Sequence, residues 1–397
     1  MHTEVDGKII CQCAGCGEPT HTITQHLKQK HPAMTPEKYQ ETFPGAPMLS
    51  KYAIGLLEAR KAAAAAAAAE TTKMAGDTTK PASLVPSGTS LKKPFNEVFD
   101  LGKAKAALSE RGDPIPISVL SGHDQQEYVP AVKDSYVYDI EETKNAILAI
   151  EKNYPLYVWG HKGCGKTELI DQICARTNRA LIRVQHTVDT EGSHITGQWT
   201  VKDGSTHFEL GPLPLAMLNG WVYNADEYDF GMPSVLAIYQ AVLEGKSLVI
   251  KEAPAEMRII KPHPNFRFCA TGNTNGSGDE TGLYQGTLIQ NSANYDRFGM
   301  VIHKDYMDKK AETQILMNTC GLENADATRM IEFATLVRQA YASAKIGDTI
   351  SPRTLIYASN IGMMRGSFRK GLALSFLSKL NSVDKEVCDG LAQRIFS

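Results

Sequence analysis

Residues 160–167 read Gly-His-Lys-Gly-Cys-Gly-Lys-Thr and follow the apolar run Leu156-Tyr157-Val158-Trp159. This is the P-loop pattern G-x-x-x-x-G-K-[ST], and it constrains the fold more than any other stretch of the chain. It needs a strand to enter, a loop whose successive N–H groups wrap a polyphosphate, and a helix whose positive end points at the same charge. Gly160, His161, Lys162, Gly163, Cys164, Gly165, Lys166, Thr167 and Glu168 therefore form the expected ATP cradle. Lys166 is placed to reach the β- and γ-phosphates, and Thr167 to offer its hydroxyl to Mg²⁺.

The sequence around this motif alternates. Strand-like runs cover Leu156–Trp159, Leu181–Val184, Trp221–Ala225, Phe266–Thr271 and Gly299–His303, with helical stretches such as Lys166–Thr177 and Pro233–Leu243 between them. Alternation of this kind predicts an α/β domain, a mostly parallel sheet flanked by helices on both faces, over residues 139–305. After Asp305 the strand signals stop, and residues 308–345 and 352–395 read as helical, so a helical lid over 306–397 is expected. Ser351-Pro352 suits a helix start, with Ser as N-cap and Pro at the first position.

Hydrolysis of a bound nucleotide needs further groups. The apolar run ending in Asp226-Glu227 supplies two acids about 60 residues after the loop. Asp226 would hold the Mg²⁺ shell and Glu227 would polarise the attacking water. Asn224 inside that run is an imperfection, because a buried amide needs a partner. Asn273, at the end of the next strand, would lie beside the γ-phosphate; Gly272-Asn273 is also an ordinary turn pair. Arg297 and Arg353 carry the planar, permanent charge that suits transferring phosphate. Either also reads as an ordinary surface arginine; if Arg297 acts across a subunit boundary, the active unit is an oligomer and Arg353 would then bridge the lid to the nucleotide in cis.

The chain has 397 residues with 42% hydrophobic and 22% charged side chains and a formal net charge of −2. That balance exerts no general pull toward nucleic acid or an anionic membrane surface. The start, MHTEVDGKIICQC, lacks the pattern of an export signal, and the longest apolar run, Ala62 to Ala69, is far short of a membrane span. The eight cysteines do not form a disulfide framework; three crowd at Cys11, Cys13 and Cys16. That usage fits a reducing cytoplasm with one metal site.

Cys13-x2-Cys16-x9-His26-x4-His31 carries the ligand types of a structural zinc site within residues 1–48. Cys11 and His21 are alternative ligands. A unit this small seldom folds without a staple, and zinc would supply it. Residues 1–60 hold six Lys/Arg and six Asp/Glu, so the module lacks the basic footprint of a DNA binder, and docking to protein is favoured over nucleic acid. Residues 49–70, with eight alanines at 62–69 before Glu70, read as a helical spacer. Residues 71–93 read as a disordered linker, and 94–138 as a preamble to the α/β domain.

The motif set resembles the AAA+ P-loop NTPases of the MoxR type, and most closely the AAA+ subunits of aerobic cobaltochelatase (the CobS type). The resemblance runs from Pro94 to Ile302 and loosely through Arg353. It is carried by Tyr136-Val-Tyr-Asp139, the P-loop, Asp226-Glu-Tyr-Asp229, Arg258 to His263 leading into Pro264-Asn-Phe-Arg267, and Gly278-Asp-Glu-Thr-Gly-Leu-Tyr-Gln-Gly286. It implies that Lys166 and Thr167 are the Walker A pair, Asp226 and Glu227 Walker B, Asn273 sensor 1, Arg297 the arginine finger and Arg353 sensor 2. It also implies a hexameric ring, a partner with a von Willebrand A-type domain, and an inserted hairpin. Gly197 to Phe208, with Asp203-Gly204 as the turn, fits that insert. The first 48 residues instead resemble zinc fingers of the Ros/MucR type, including Met34-Thr-Pro-Glu-Lys-Tyr39 and Phe43-Pro44. Typical chelatase subunits do not begin this way, which suggests an adapted relative, a remodelling ATPase. Cobalt insertion into a corrin, or a DNA-binding regulator with an ATP switch, are the other readings.

Overall fold

The computed structural model describes residues 4–5, 7–51, 53–54, 89–121, 126–279 and 282–397. The chain divides into two units, residues 1–80 and 81–397. The helical spacer lies almost wholly outside the described residues, as does most of the linker, residues 71–88.

In the first unit, strands Glu4–Val5 (β1), Lys8–Ile10 (β2) and Pro19–Thr20 (β3) form a small antiparallel sheet. Helix Ile23–Lys30 follows, then helix Pro36–Thr42, whose N-cap Thr35 accepts a hydrogen bond from the N–H of Lys38. Ile9, Ile23, Leu27 and Tyr39 are its buried apolar residues beside Cys11 and Cys13. That core is small, in keeping with the need for a further staple.

The second unit starts earlier than expected. Thr89–Pro94 (β4), placed in the linker by composition, pairs antiparallel with Pro116–Ser121 (β5). The Lys/Ser/Thr-rich composition of this stretch suits a two-stranded ribbon with an exposed face as well as it suits a linker. The preamble is part of the core: Phe95, Phe99, Ala107 and Ile117 pack with Ile147, Ile150 and Ile173.

Leu156–Trp159 (β6) and Leu181–Gln185 (β7) belong to the central sheet. Next come Gly197–Lys202 (β8) and Ser205–Leu210 (β9), a hairpin turning at Asp203 and Gly204, where φ is +53° and +77°. Positive φ at both turn residues matches strand twist, as the Asp-Gly pair predicts. Val222–Asp226 (β10) returns to the sheet, Leu248–Val249 (β11) and Ile259–Ile260 (β12) make a second small ribbon, and Arg267–Gly272 (β13) and Met300–His303 (β14) complete the set. The sheet order is β14-β6-β13-β10-β7, parallel throughout. Side chains alternate between its faces: Leu156, Val158, Val222 and Cys269 enter one cluster, while Tyr157, Tyr223, Phe268 and Ala270 enter the other.

The lid has its own core of Leu316, Met330, Phe333, Leu355, Leu372 and Cys388. The helical stretches expected over 308–345 and 352–395 form five helices: Lys309–Cys320, Asn324–Ala342, Pro352–Arg365, Phe368–Ser375 and Ser382–Phe396. Two of the breaks fall at the left-handed glycines Gly321 and Gly366. Ser351 caps its helix, accepting from the N–H of Thr354, with Pro352 in the first turn.

Candidate functional site

A cavity of about 690 Å³ opens where the P-loop meets the carboxyl ends of β6, β10 and β13. Ligand sites of open parallel sheets lie at that edge. Gly163 through Glu168 line it, together with Asp226, Glu227, Asn273 and Arg353. Tyr136 and Val137 from the preamble and Ile315 and Ile356 from the lid also line it. Those apolar groups suit the flat base of a nucleotide.

Lys166 opens helix Lys166–Arg176, and its ammonium is folded back onto the loop. Nζ donates to the carbonyls of Gly160 at 2.8 Å and His161 at 3.2 Å, and to Asn273 Oδ1 at 3.0 Å. Burial lowers its pKa, against the opposing influence of Cys164, Asp229, Asp226 and Glu227. Thr167 donates through Oγ1 to Asp226 Oδ1 at 3.0 Å, and Thr271 donates to the same oxygen. Hydroxyl and carboxylate oxygens side by side are a donor set that suits Mg²⁺. One turn further, Asp171 has its pKa pushed up to about 6, first by burial and then by Glu168.

Glu227 follows β10 with φ +52° and ψ +42°, a left-handed conformation uncommon outside glycine and enriched at functional sites. Its Oε2 accepts from Gln185 Nε2 at 2.7 Å, so a residue at the tip of β7 holds the carboxylate. Asn224 is fully buried, and among the described residues neither of its polar side-chain atoms has a partner. The imperfection expected from its place in an apolar strand is therefore present in the fold.

The two arginines part company. Arg353, at the first turn of its lid helix, lines the cavity. Arg297 is not among the lining residues. Its Nε donates to Glu244 Oε1 at 2.7 Å, and its guanidinium also reaches the carbonyl of Ala293.

Several contacts here join stretches that the sequence marks separately and does not pair. Tyr284 Oη accepts from the N–H of Lys162 at 3.0 Å and pairs with His161 Nδ1 at 3.0 Å, tying the Gly278–Gly286 stretch to the P-loop. Within that stretch, residues 280 and 281 lie outside the described residues. Lys162 pairs with Asp348 of the lid. Asp229 sits under the tip of β13, bonded to the N–H of Asn273. Each depends on partners far apart in the chain, which periodicity and spacing do not encode.

In the N-terminal unit, ligand atoms of Cys11, Cys16, His26 and His31 all lie within 4.8 Å of one another. Cys13, which the spacing selects, is not in this group, and Cys11, the alternative ligand, is; the Cys13 side chain lies beside Cys11. The Cys13 carbonyl accepts from the N–H of Cys16, closing the turn, and both Cys13 and Cys11, which follows β2, are buried. His21 is engaged elsewhere, with Nδ1 2.9 Å from Ser50 Oγ. Cys16 Sγ stands 3.2 Å from His26 Nε2, and His31 Nε2 is buried without a partner among the described residues. Two thiols, two imidazoles and an orphaned ring nitrogen fit a tetrahedral zinc. Burial is the largest influence raising the Cys11 thiol pKa.

Known proteins place the chain. The AAA domain (dynein-related subfamily) matches residues 155–286, and the CbbQ/NirQ/NorQ C-terminal domain matches 312–393. The aerobic cobaltochelatase subunit CobS of Sinorhizobium sp is 32% identical over 280 residues, covering 68% of this chain and 83% of that protein. The chain belongs to the MoxR-type AAA+ ATPases. A further relative of this ATPase is the gas vesicle ATPase GvpN of Ancylobacter aquaticus, 25% identical over 68% of this chain and 75% of its own. Among solved structures, the Holliday junction branch migration motor RuvB of Thermotoga maritima is 15% identical with a TM-score of 0.37, covering 67% of this chain and 72% of that one. Among the described residues, no helix is long and apolar enough to cross a membrane.

Proposed function

We propose that this AAA+ ATPase works as a ring, hexameric as the family resemblance implies, that remodels a partner protein or complex and is targeted by its N-terminal metal module. What carries this reading is one division of the site. Lys166, Thr167, Asp226, Glu227, Asn273 and Arg353 line a single cavity, whereas Arg297 does not. The P-loop amides and Lys166 bind the phosphates, and Thr167 and Asp226 hold Mg²⁺, which supplies charge neutralisation on them. Glu227 takes up the proton of the attacking water, and Asn273 orients it. Arg353 ties the lid to the nucleotide, and Arg297 serves the site of a neighbouring copy.

Mixing tests the shared site. Arg297→Ala and Lys166→Ala proteins are each expected to be inactive as ATPases. Co-expressed, they regain roughly a quarter of the parent activity, because random assortment gives that share of interfaces an intact loop and an intact Arg297. No recovery from rings that contain both chains would sink the shared-site assignment.

The metal module is tested in the full-length chain. Zinc is expected to co-purify, and Cys11→Ser is expected to lose it together with the folded state of the first unit, since metal affinity here is folding energy. Cys13→Ser keeps the metal. Metal analysis showing the opposite pattern would restore the ligand set read from spacing.

The 32% identity to CobS favours a second reading, an ATPase subunit serving cobalt insertion into a corrin. Both readings keep the von Willebrand A-type partner expected from the resemblance. Docking through the neutral N-terminal module favours protein over nucleic acid, and the reducing cytoplasm is the compartment that free thiols suit.

A further inference from the structure

We propose that Asp229 is a positioning residue for hydrolysis: its buried carboxylate sets the direction of Asn273. The inference rests on the reading of Asn273 as the side chain that faces the γ-phosphate and orients water.

The geometry is specific. Asp229 lies in the short turn Tyr228–Phe230 that follows Glu227, and it is fully buried. One carboxylate oxygen, Oδ2, accepts three hydrogen bonds: from the N–H of Asn273 at 2.8 Å, the N–H of Thr274 at 2.8 Å and the hydroxyl of Thr274 at 2.9 Å. Burial raises the Asp229 pKa, and the hydrogen bonds from Thr274 and Asn273 oppose that rise by favouring the carboxylate; three donors on one oxygen fix the backbone from which Asn273 projects. Asn273 Oδ1 then meets the ammonium of Lys166 at 3.0 Å.

The grip is braced from both sides. The carbonyl of Asp229 accepts from the N–H of Leu288 at 2.7 Å, which holds the turn in place. Tyr157 donates through its hydroxyl to the carbonyl of Thr274 at 2.7 Å. Gly272 permits the approach: a Cβ there would stand 2.0 Å from Tyr157 Oη and 3.1 Å from Asp229 Cγ. Asp229 Oδ1 is buried with no partner among the described residues. A buried acid with half its acceptor capacity unused is costly, and such residues persist where function needs them.

A purely structural acid would lower stability and leave turnover per folded, ATP-loaded site unchanged. A positioning acid lowers kcat far more than it raises KM for ATP, because the P-loop amides still hold the phosphates and Gln185 still holds Glu227. The test is a double-mutant cycle on the full chain, with kcat and KM for ATP measured for Asp229→Asn, Asn273→Ala and both together. Asparagine keeps the shape and an acceptor oxygen but removes the charge. Asn273→Ala is expected to lower kcat on the order of 100-fold. Asp229→Asn should lower it roughly 10-fold with KM changed less than about 2-fold. The double variant should be no slower than Asn273→Ala alone, because both act through one side chain.

Parent-like kcat in folded Asp229→Asn, or multiplied losses in the double variant, would overturn the proposal while leaving the role of Asn273 intact. Parent-like kcat in Asn273→Ala would instead remove the reading of Asn273 and the proposal with it. If Asp229→Asn fails to fold, Thr274→Ala removes one donor to the same oxygen and takes its place in the cycle. Its expected loss in kcat is roughly 3-fold. Parent-like kcat there, or multiplied losses with Asn273→Ala, would overturn the proposal in the same way.

Discussion

Replacing Lys166 with alanine is expected to abolish ATP binding at ordinary nucleotide concentrations. In the folded chain the Lys166 ammonium is already directed into the loop, with the carbonyls of Gly160 and His161 and the amide oxygen of Asn273 as acceptors. Burial makes it a poorly hydrated charge, as its lowered pKa records. Phosphate oxygens would replace weak neutral acceptors with charged ones, in a site of low dielectric. Truncating one side of such a buried charge pair costs about 3–5 kcal/mol, a loss of roughly two to four decades in Kd. Titration calorimetry against ATP with Mg²⁺ measures it, with the melting curve of the nucleotide-free protein as the folding control. Parent affinity in a folded Lys166→Ala protein would remove Lys166 from the phosphate site.

Glu227→Gln should do the reverse: nucleotide affinity stays and turnover stops. The substitution keeps size, and its amide oxygen can still accept from Gln185 Nε2, now 2.7 Å from Glu227 Oε2. The strained backbone at φ +52° is therefore supported as before. What is lost is the capacity to take a proton from water, a contribution of about 10²–10⁴ in rate. Steady-state ATPase assays and titration of ATP onto the same protein separate the two quantities. Ordinary turnover in Glu227→Gln would show that another group activates the water, whereas lost binding would show that the carboxylate serves the nucleotide itself.

The central sheet was readable because its signals are local. All five expected strand positions match to within one residue at each end, since each is a short apolar run bounded by turn residues. The hairpin implied by the resemblance over Gly197 to Phe208 forms over Gly197–Leu210, with Asp203-Gly204 supplying the local turn chemistry. The linker boundary failed because Thr89–Pro94 becomes a strand only against Pro116–Ser121. A polar ribbon and a linker have similar composition. Spacing favours Cys13 with Cys11 as an alternative, and the fold brings Cys11 within reach of Cys16, His26 and His31; which thiols meet the histidines depends on where the chain after β2 runs, and the count between cysteines does not contain that.

By itself, the amino-acid order determined the phosphate loop, the alternation that makes a parallel sheet, the acids that end β10 and the helical lid. These follow from backbone preferences and side-chain periods within a few residues. Only the tertiary structure decided that Gln185 holds Glu227, that Tyr284 pins the P-loop, that Arg297 rests on Glu244 outside the cavity, and that Asp229 grips the base of Asn273. Those contacts join residues 42, 122, 53 and 44 positions apart. Hydrogen-bond geometry is set to tenths of an ångström, and across such separations it is fixed by how the layers pack, not by the order of neighbours along the chain.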